Sequence, residues 1–349
     1  MISFTDEQNN FIDYIVTNMK KRQYTVAGGT AGVGKSTCLA YLAKKYPSFK
    51  VCAFTGKAAN VLRKKGIHDA NTIHSTIYSC EENTKGDIVF RLKYPHQIDF
   101  SGLFVDEASM ISEDLFEDIL SFNVPVVFFG DHGQLEPVGS KFNLMAKPCI
   151  KLETIHRNAN TVAKFAAHLR TGQSAQSFGA FDETVKLVPK KNVSIKNLAE
   201  AGQVICAFNK TRNAINKKVR EHFGYKNKIE KNEKIICLKN NKLFGIFNGM
   251  QGTVISVNKN KITFVDDSKK KFIVDAFFDQ FGMDKLHDSA QYDKDIGFFD
   301  YAYAVTCHKA QGDEWDDIIV IEERCDLWEH KRWAYTSASR AKKSVLWVS

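Results

Sequence analysis

A chain of 349 residues is too long for one ordinary hydrophobic core and has room for two or three. Its 44% hydrophobic and 26% charged content is that of a folded globular protein, which argues against a disordered or fibrous chain. The formal charge of +9 leaves two readings open, a surface that displaces counterions from a polyanion and a merely soluble basic one. No stretch approaches the roughly 18 apolar residues of a membrane span. The opening MISFTDEQNN lacks a basic segment followed by an apolar one, so a cytoplasmic location is expected.

In chain order, short apolar runs over 24–27, 50–54, 103–105 and 124–129 alternate with helix-compatible stretches over 35–45, 57–64 and 112–121. That alternation predicts parallel strands with crossover helices, and ligands of such sheets collect at the carboxyl ends of the strands. Residues 78–100 interrupt the pattern with TKGD between strand-like flanks and read as an inserted hairpin. A second block of the same kind opens near Ile155, with a helix over 160–170, a strand over 203–208 and a helix over 211–222. It resumes with strands over 301–306, 317–321 and 344–348. Between its parts, 231–295 breaks into short β-like pieces, among them NGMQGTVISV, KITFVDD and KKFIVDAF, which suits a small inserted β-barrel. The expected domains are 1–155 with the 78–100 hairpin, 156–230 joined to 296–349, and 231–295. Eight scattered cysteines form no CxxC pair, and several lie in apolar runs, which predicts buried reduced thiols. The lysine-dense stretches over 217–220, 226–234 and 269–271 read chiefly as solvated faces.

The segment Gly29-Thr30-Ala31-Gly32-Val33-Gly34-Lys35-Ser36 matches G-x-x-x-x-G-K-[ST] in full, between a predicted strand and a predicted helix. Gly29, Gly32 and Gly34 let backbone N–H groups close round phosphates, where the helix amino terminus, reaching Thr37, adds favourable partial charge. Lys35 is expected to reach the β and γ phosphates and the Ser36 hydroxyl to bind magnesium. Downstream, LFVDEAS ends an apolar strand in Asp106 and Glu107. The first suits a magnesium ligand, and the second a base for the attacking water. The next apolar run ends in GDHGQL, where Gln134 can sense the γ-phosphate or the water. Together these predict hydrolysis of ATP with magnesium, beyond nucleotide binding alone.

Further segments follow in a fixed order: FTDEQ at 4–8, FTGKAANVL, TIHSTIY, GDHGQLEPV, LETIHRN, CAFNKTRNAIN, FNGMQGTV, YAVTCHKAQGDEWD and YTSASRAK. With the motifs above they resemble superfamily 1 helicases, in the branch that contains RecD, Pif1 and the Dda helicase of T-even phages, across nearly the whole chain. The resemblance implies an α/β fold of two RecA-like P-loop domains with parallel sheets, a β-hairpin pin inserted in the first and an SH3-like β-barrel in the second. It gives Gln8 a contact to adenine, and Gly312 and Glu314 places near the nucleotide and ribose. Arg157 and Arg340 become the arginines of the second domain that reach the γ-phosphate; read without it, both are surface charges. It places Thr55, Lys57, His74, Asn209, Thr306 and His308 along single-stranded DNA, although each also reads as a satisfied structural residue. Phe90 or Tyr94 would stack at the duplex junction, or else hold the hairpin against the body.

The implied function is that of an ATP-dependent DNA helicase moving 5′ to 3′ on single-stranded DNA and acting at junctions of single and double strands. A monomer without membrane association is expected, in a bacterial or phage-infected cell, with replication or recombination proteins as candidate partners. The family's QLPPV is QLEPV here, with Glu136 in the place of proline, and YTSASRAK departs from the family's YTALTRAK. Two alternatives compete: an ATP-regulated single-strand-binding protein that does not unwind, and a small-molecule P-loop kinase.

Overall fold

The structure, a computed structural model, describes residues 4–82, 88–136, 142–154, 160–241, 243–266, 269–291, 293, 295–326 and 328–349; of residues 80–82, 88–90 and 291 it describes the backbone alone. The chain divides into two compact units, Met1–Ala159 and Asn160–Ser349.

In the first unit the elements are α1 (Asp6–Asn18), β1 (Tyr24–Gly29), α2 (Lys35–Lys45), β2 (Phe49–Ala53), α3 (Gly56–Lys64), β3 (Asn71–Thr72), α4 (Ile73–Ile77), β4 (Tyr78–Glu82), β5 (Ile88–Leu92), β6 (Gly102–Asp106), α5 (Glu113–Leu120), β7 (Val126–Gly130) and β8 (Ile150–Leu152). Six strands form one parallel sheet in the order β3-β2-β6-β7-β1-β8. Alternate residues face opposite ways. Ala27, Phe104, Val127 and Phe129 pack with Phe11, Ile15, Leu39 and Leu62 of α1, α2 and α3. Val26, Val105, Val126 and Phe128 pack with Ile73, Ile77, Leu115 and Ile119 of α4 and α5. Helices on both faces account for strands that are apolar along nearly their whole length. Thr5, Thr55, Thr72 and Ser112 cap α1, α3, α4 and α5 by accepting a backbone N–H. β4 and β5 pair antiparallel from Tyr78↔Leu92 to Glu82↔Ile88; the TKGD turn lies outside the described residues.

In the second unit the elements are α6 (Thr161–Arg170), β9 (Val185–Val188), α7 (Ile195–Glu200), β10 (Gln203–Cys206), α8 (Asn209–Phe223), β11 (Lys234–Cys237), β12 (Gln251–Asn258), β13 (Lys261–Asp266), β14 (Lys271–Asp275), β15 (Phe299–Tyr301), β16 (Ala304–Thr306), α9 (Cys307–Ala310), β17 (Trp315–Ile321), α10 (His330–Ala338) and β18 (Ala341–Val348). Five of the strands form a parallel sheet, β16-β10-β17-β18-β9, and five an antiparallel one, β14-β13-β12-β11-β15. The single strand expected over 301–306 is therefore two, one in each sheet. The break at Ala302 and Tyr303 is stitched by side chains. The Gln203 amide donates to both of their carbonyls, at 3.2 and 3.1 Å. Asn216 donates to the carbonyls of Tyr301 and Ala304 and accepts from the Ala304 N–H at 2.7 Å.

Asn216 belongs to a polar stripe at i, i+4, i+8 on the inner face of α8. Arg212 pairs with the fully buried Asp300 at 3.0 Å, and Arg220 with the buried Glu233 at 2.6 Å while its guanidinium covers the Tyr301 ring at 4.2 Å. Burial pushes the Asp300 and Glu233 carboxyls up, and the paired guanidinium pulls each back down. The charge run over 217–220 is thus not wholly a solvated face, since Arg220 points inward.

Cys38, Cys52, Cys206, Cys237 and Cys307 are buried and free as expected, whereas Cys149 is exposed and Cys325 partly so. Among the described residues no helix is long and apolar enough to cross a membrane. Replacing Arg212 by Ala strands the Asp300 carboxylate in the interior, and a loss of about 3–5 kcal/mol is expected. Chemical denaturation followed by tryptophan fluorescence measures it; a loss below about 1 kcal/mol would show that the pair does not anchor the unit.

Candidate nucleotide site and nucleic-acid interface

β1 ends in Gly28 and Gly29. A Cβ on Gly28 would stand 2.7 Å from Pro148 Cγ, so packing alone demands glycine there. The loop then turns through Gly32 and Gly34, at φ of +80° and +92°, a region open to glycine and strained for other residues. Gly34 is the N-cap of α2 and offers no side-chain cap, so the first turn of the helix keeps N–H groups available to an anion. Lys35 folds back over the loop, its ammonium donating to the carbonyls of Gly29 at 2.6 Å and Thr30 at 2.7 Å. Thr30 Oγ1 is buried in this loop without a hydrogen-bond partner among the described residues.

Gln8, expected at adenine, braces this loop. Its Oε1 accepts from Thr5 N in a capping box, its Nε2 donates to Val33 O at 3.2 Å, and the amide nitrogen lies 2.4 Å from where a Gly34 Cβ would stand. Sequence reasoning missed this second duty, although the T-x-x-Q spacing of Thr5 and Gln8 signals the box.

In the sheet β1 neighbours β7, and β7 neighbours β6, so three strand ends line up beside the loop. β6 delivers Asp106, whose carboxyl is raised by burial and pulled back by the Glu107 N–H and by Lys35. Glu107 takes φ +55°, a left-handed conformation that costs a non-glycine residue about 1 kcal/mol or more. β7 leads to Asp131, 2% exposed, whose Oδ1 accepts from Gly133 N and whose Oδ2 accepts from the Gln134 amide at 3.4 Å. Asp131 went unassigned in the sequence; its signal is the G-D-x-x-Q spacing. Glu136, the departure from the family's proline, accepts from Asn143 at 2.6 Å.

Thr55 caps α3 by accepting from Ala58 N at 3.1 Å, and Lys57 is half-buried on the same helix. His74 stacks on Tyr78 at 5.6 Å, and burial lowers its pKa toward the neutral imidazole. Tyr94 is 62% exposed and stacks on His96. The Phe90 side chain and the whole of Arg157 lie outside the described residues.

In the second unit Asn209, Thr306 and His308 gather at the carboxyl ends of neighbouring parallel strands, where Cys206 pairs with Thr306. Asn209 is exposed, Thr306 buried, and the pKa of His308 is lowered by burial. Arg340 is only 4% exposed, which excludes the surface-charge reading. Its guanidinium donates to the carbonyls of Thr336 and Asp313 and to the Ser339 hydroxyl, at 3.1, 3.3 and 2.9 Å. Gly312 sits at φ +81°, and the exposed Glu314 lies 3.9 Å from Lys342.

The described residues hold no cluster of three or more His, Cys, Asp or Glu side chains that could cage a metal. Magnesium takes one or two protein oxygens and completes its shell with water and phosphate. Ser36 and Asp106 supply a hydroxyl and a carboxylate of the required hardness.

Comparison with known proteins adds family evidence. A family model described as an AAA domain matches residues 3–188, and one described as a UvrD-like helicase C-terminal domain matches residues 301–348. The chain is 25% identical over 378 residues to the ATP-dependent RecD2 DNA helicase of Deinococcus radiodurans, covering 97% of this chain and 48% of that protein. It thus spans about half the length of that curated relative. Bacteroides Pif1 bound to ssDNA superposes with a TM-score of 0.67 at 19% identity, over 99% of this chain and 92% of that one. A second Pif1 structure from Bacteroides, in complex with ADP-AlF3 and ssDNA, gives 0.65 at 19% identity with the same coverage. At such identity the likeness establishes the fold, an α/β architecture with parallel sheets like those of the Pif1 RecA-like domains.

The two positive-φ glycines of the loop separate strain from contact. Gly32→Ala meets open space and carries only the backbone cost, whereas Gly34→Ala carries that cost and also displaces the Gln8 amide. In thermal melts without nucleotide, Gly34→Ala is expected to be the less stable by about 1 kcal/mol or more. Equal melting points would mean that Gln8 does not brace the loop.

Proposed function

For a chain that belongs to the AAA-domain family, as a superfamily 1 protein of the RecD/Pif1 type, we propose the activity of an ATP-dependent DNA helicase. One observation carries the reading: the glycine loop closed by Lys35, the Asp106–Glu107 strand end and the Asp131-held Gln134 converge on one edge of one parallel sheet. Phosphate binding alone needs the loop; the carboxylate base and the buried amide are what hydrolysis adds. Glu107 accepts a proton from the water that attacks the γ-phosphorus as the bond to ADP breaks, and Gln134 orients that water. Lys35 meets the β and γ phosphates, and Gly29, Gly32, Gly34 and Thr37 shape the cradle. Magnesium, held by Ser36 and Asp106, would offset phosphate charge.

Arg340 supports the same reading. Its guanidinium is buried yet hydrogen-bonded to neutral oxygens, which orients a cation without neutralising it. With Arg157 it would act on the γ-phosphate and make hydrolysis depend on the second unit, as the family resemblance implies. Gln8, Gly312 and Glu314 would complete the contacts to the nucleoside.

DNA is the proposed track, with Thr55, Lys57, His74, Asn209, Thr306 and His308 along a single strand. The antiparallel pair β4–β5 would serve as the pin, with Phe90 or Tyr94 at the junction, and the five-stranded antiparallel sheet as the SH3-like cover. Travel would run 5′ to 3′, by a monomer.

Lys35→Ala is expected to lower DNA-stimulated ATPase activity by about 100-fold or more and to abolish unwinding while single-strand binding persists. A Lys35→Ala protein that kept its full DNA function would instead favour the ATP-regulated binding protein. Absence of DNA stimulation in the wild type would revive the small-molecule kinase. In strand-separation assays on matched tailed duplexes, only the 5′-tailed substrate is expected to open; unwinding confined to the 3′-tailed one would reverse the polarity.

A further inference from the structure

Phe208 occupies the N-cap of α8, a position usually held by Ser, Thr, Asp or Asn because those side chains satisfy an orphan N–H of the helix. Here that duty has passed to Glu323, which follows β17, the neighbour of β10 in the sheet. Its carboxylate accepts from the N–H groups of Ala207 at 2.8 Å and Phe208 at 3.3 Å and from the Thr211 hydroxyl. Helix α8 therefore needs nothing from the Phe208 ring, which is 36% exposed.

That ring does not stand alone. Its centroid lies 5.9 Å from that of Trp328 at an interplanar angle of 40°, and Trp328 meets His308 edge-on at 5.8 Å. Three rings thus run along the edge where β16, β10 and β17 end, from the His308 segment past the start of α8. Phe208 also lines a cavity of ≈ 510 Å³ whose charged lining is mixed, Lys190 and Arg324 standing with Glu322 and Glu323, and Arg324 lies 3.6 Å from Glu322. An exposed flat ring backed by a second ring matches what the base of an unpaired nucleotide needs, a face to stack on.

We propose that Phe208, backed by Trp328, is a stacking platform for one unpaired base of a bound DNA single strand. The proposal rests on the single-strand reading above and adds a base-stacking contact in the second unit, where that reading names only Asn209, Thr306 and His308. His308, Asn209 and Thr306 offer only polar groups or an edge-packed imidazole to the strand, so Phe208 is the flat surface at this edge.

The test uses the whole chain and a short oligodeoxynucleotide carrying 2-aminopurine at each position in turn. Binding to the wild type is expected to quench the fluorophore at one position. Phe208→Leu, which retains apolar packing on Trp328 but offers no π-face, is expected to remove that quench and weaken binding on the order of tenfold, with an unchanged thermal midpoint. Phe208→Tyr should restore both. If Phe208→Leu binds and quenches as the wild type does, the platform is refuted while the single-strand reading stands. If the wild type binds no single strand, that reading falls and takes the platform with it.

Discussion

The ammonium of Lys35, held between the carbonyls of Gly29 and Thr30, is the interaction on which the first unit turns. A cation tethered by neutral oxygens keeps its charge for an incoming anion, and the tether fixes where that charge stands. To place it there the loop must reverse tightly, hence Gly32 and Gly34 in the left-handed region. It must also leave a strand whose neighbours run the same way, so that β6 and β7 bring their own polar ends alongside. Parallel order, a glycine loop and buried carboxylates are three aspects of a single geometrical demand. Arg340 repeats the device in the second unit, held by the backbone carbonyls of Thr336 and Asp313 and by the Ser339 hydroxyl.

Much of this was legible in the residues. Continuous apolar runs named β1, β6 and β7 because strands covered on both faces need apolar side chains at every position, and the glycine loop declared itself by spacing alone. The strand expected over 301–306 was misread, since nothing local marks the point where one sheet yields to another. That point is fixed by Gln203 and Asn216, distant in sequence, whose amides replace the ladder at Ala302 and Tyr303. Polar side chains at helical spacing look the same from sequence whether they meet water or a buried carboxylate, so the inward turn of Arg212 and Arg220 was hidden. Glu323 was hidden for the same reason, because capping a helix from more than a hundred residues away leaves no local pattern.

Two polar residues do more than their motif requires. Gln8 secures α1 and supports the glycine loop with a single amide, so a substitution there would disturb both. Asp131 shows the complementary economy. Its carboxylate shapes the turn after β7 and draws Gln134 inward, turning a flexible glutamine into a positioned one. Glu136, standing where the family has proline, gains a hydrogen bond from Asn143 in place of a rigid ring.

The splitting of the 301–306 stretch has a kinetic consequence. β10 lies between β16 and β17, yet β16 enters the chain only after all five strands of the antiparallel sheet. The parallel sheet of the second unit thus cannot close until an entire intervening sheet has been made or spanned, a high-contact-order step that carries the loop-closure entropy of that whole segment. On a ribosome the first unit is complete well before β16 emerges, while β10 waits with both edges unpaired, since β17 follows β16 in the chain. The lysines of β14 and its approach, Lys269, Lys270 and Lys271, then guard the outer edge of the sheet that forms in the interval, discouraging strand-to-strand association while the nascent chain is still open.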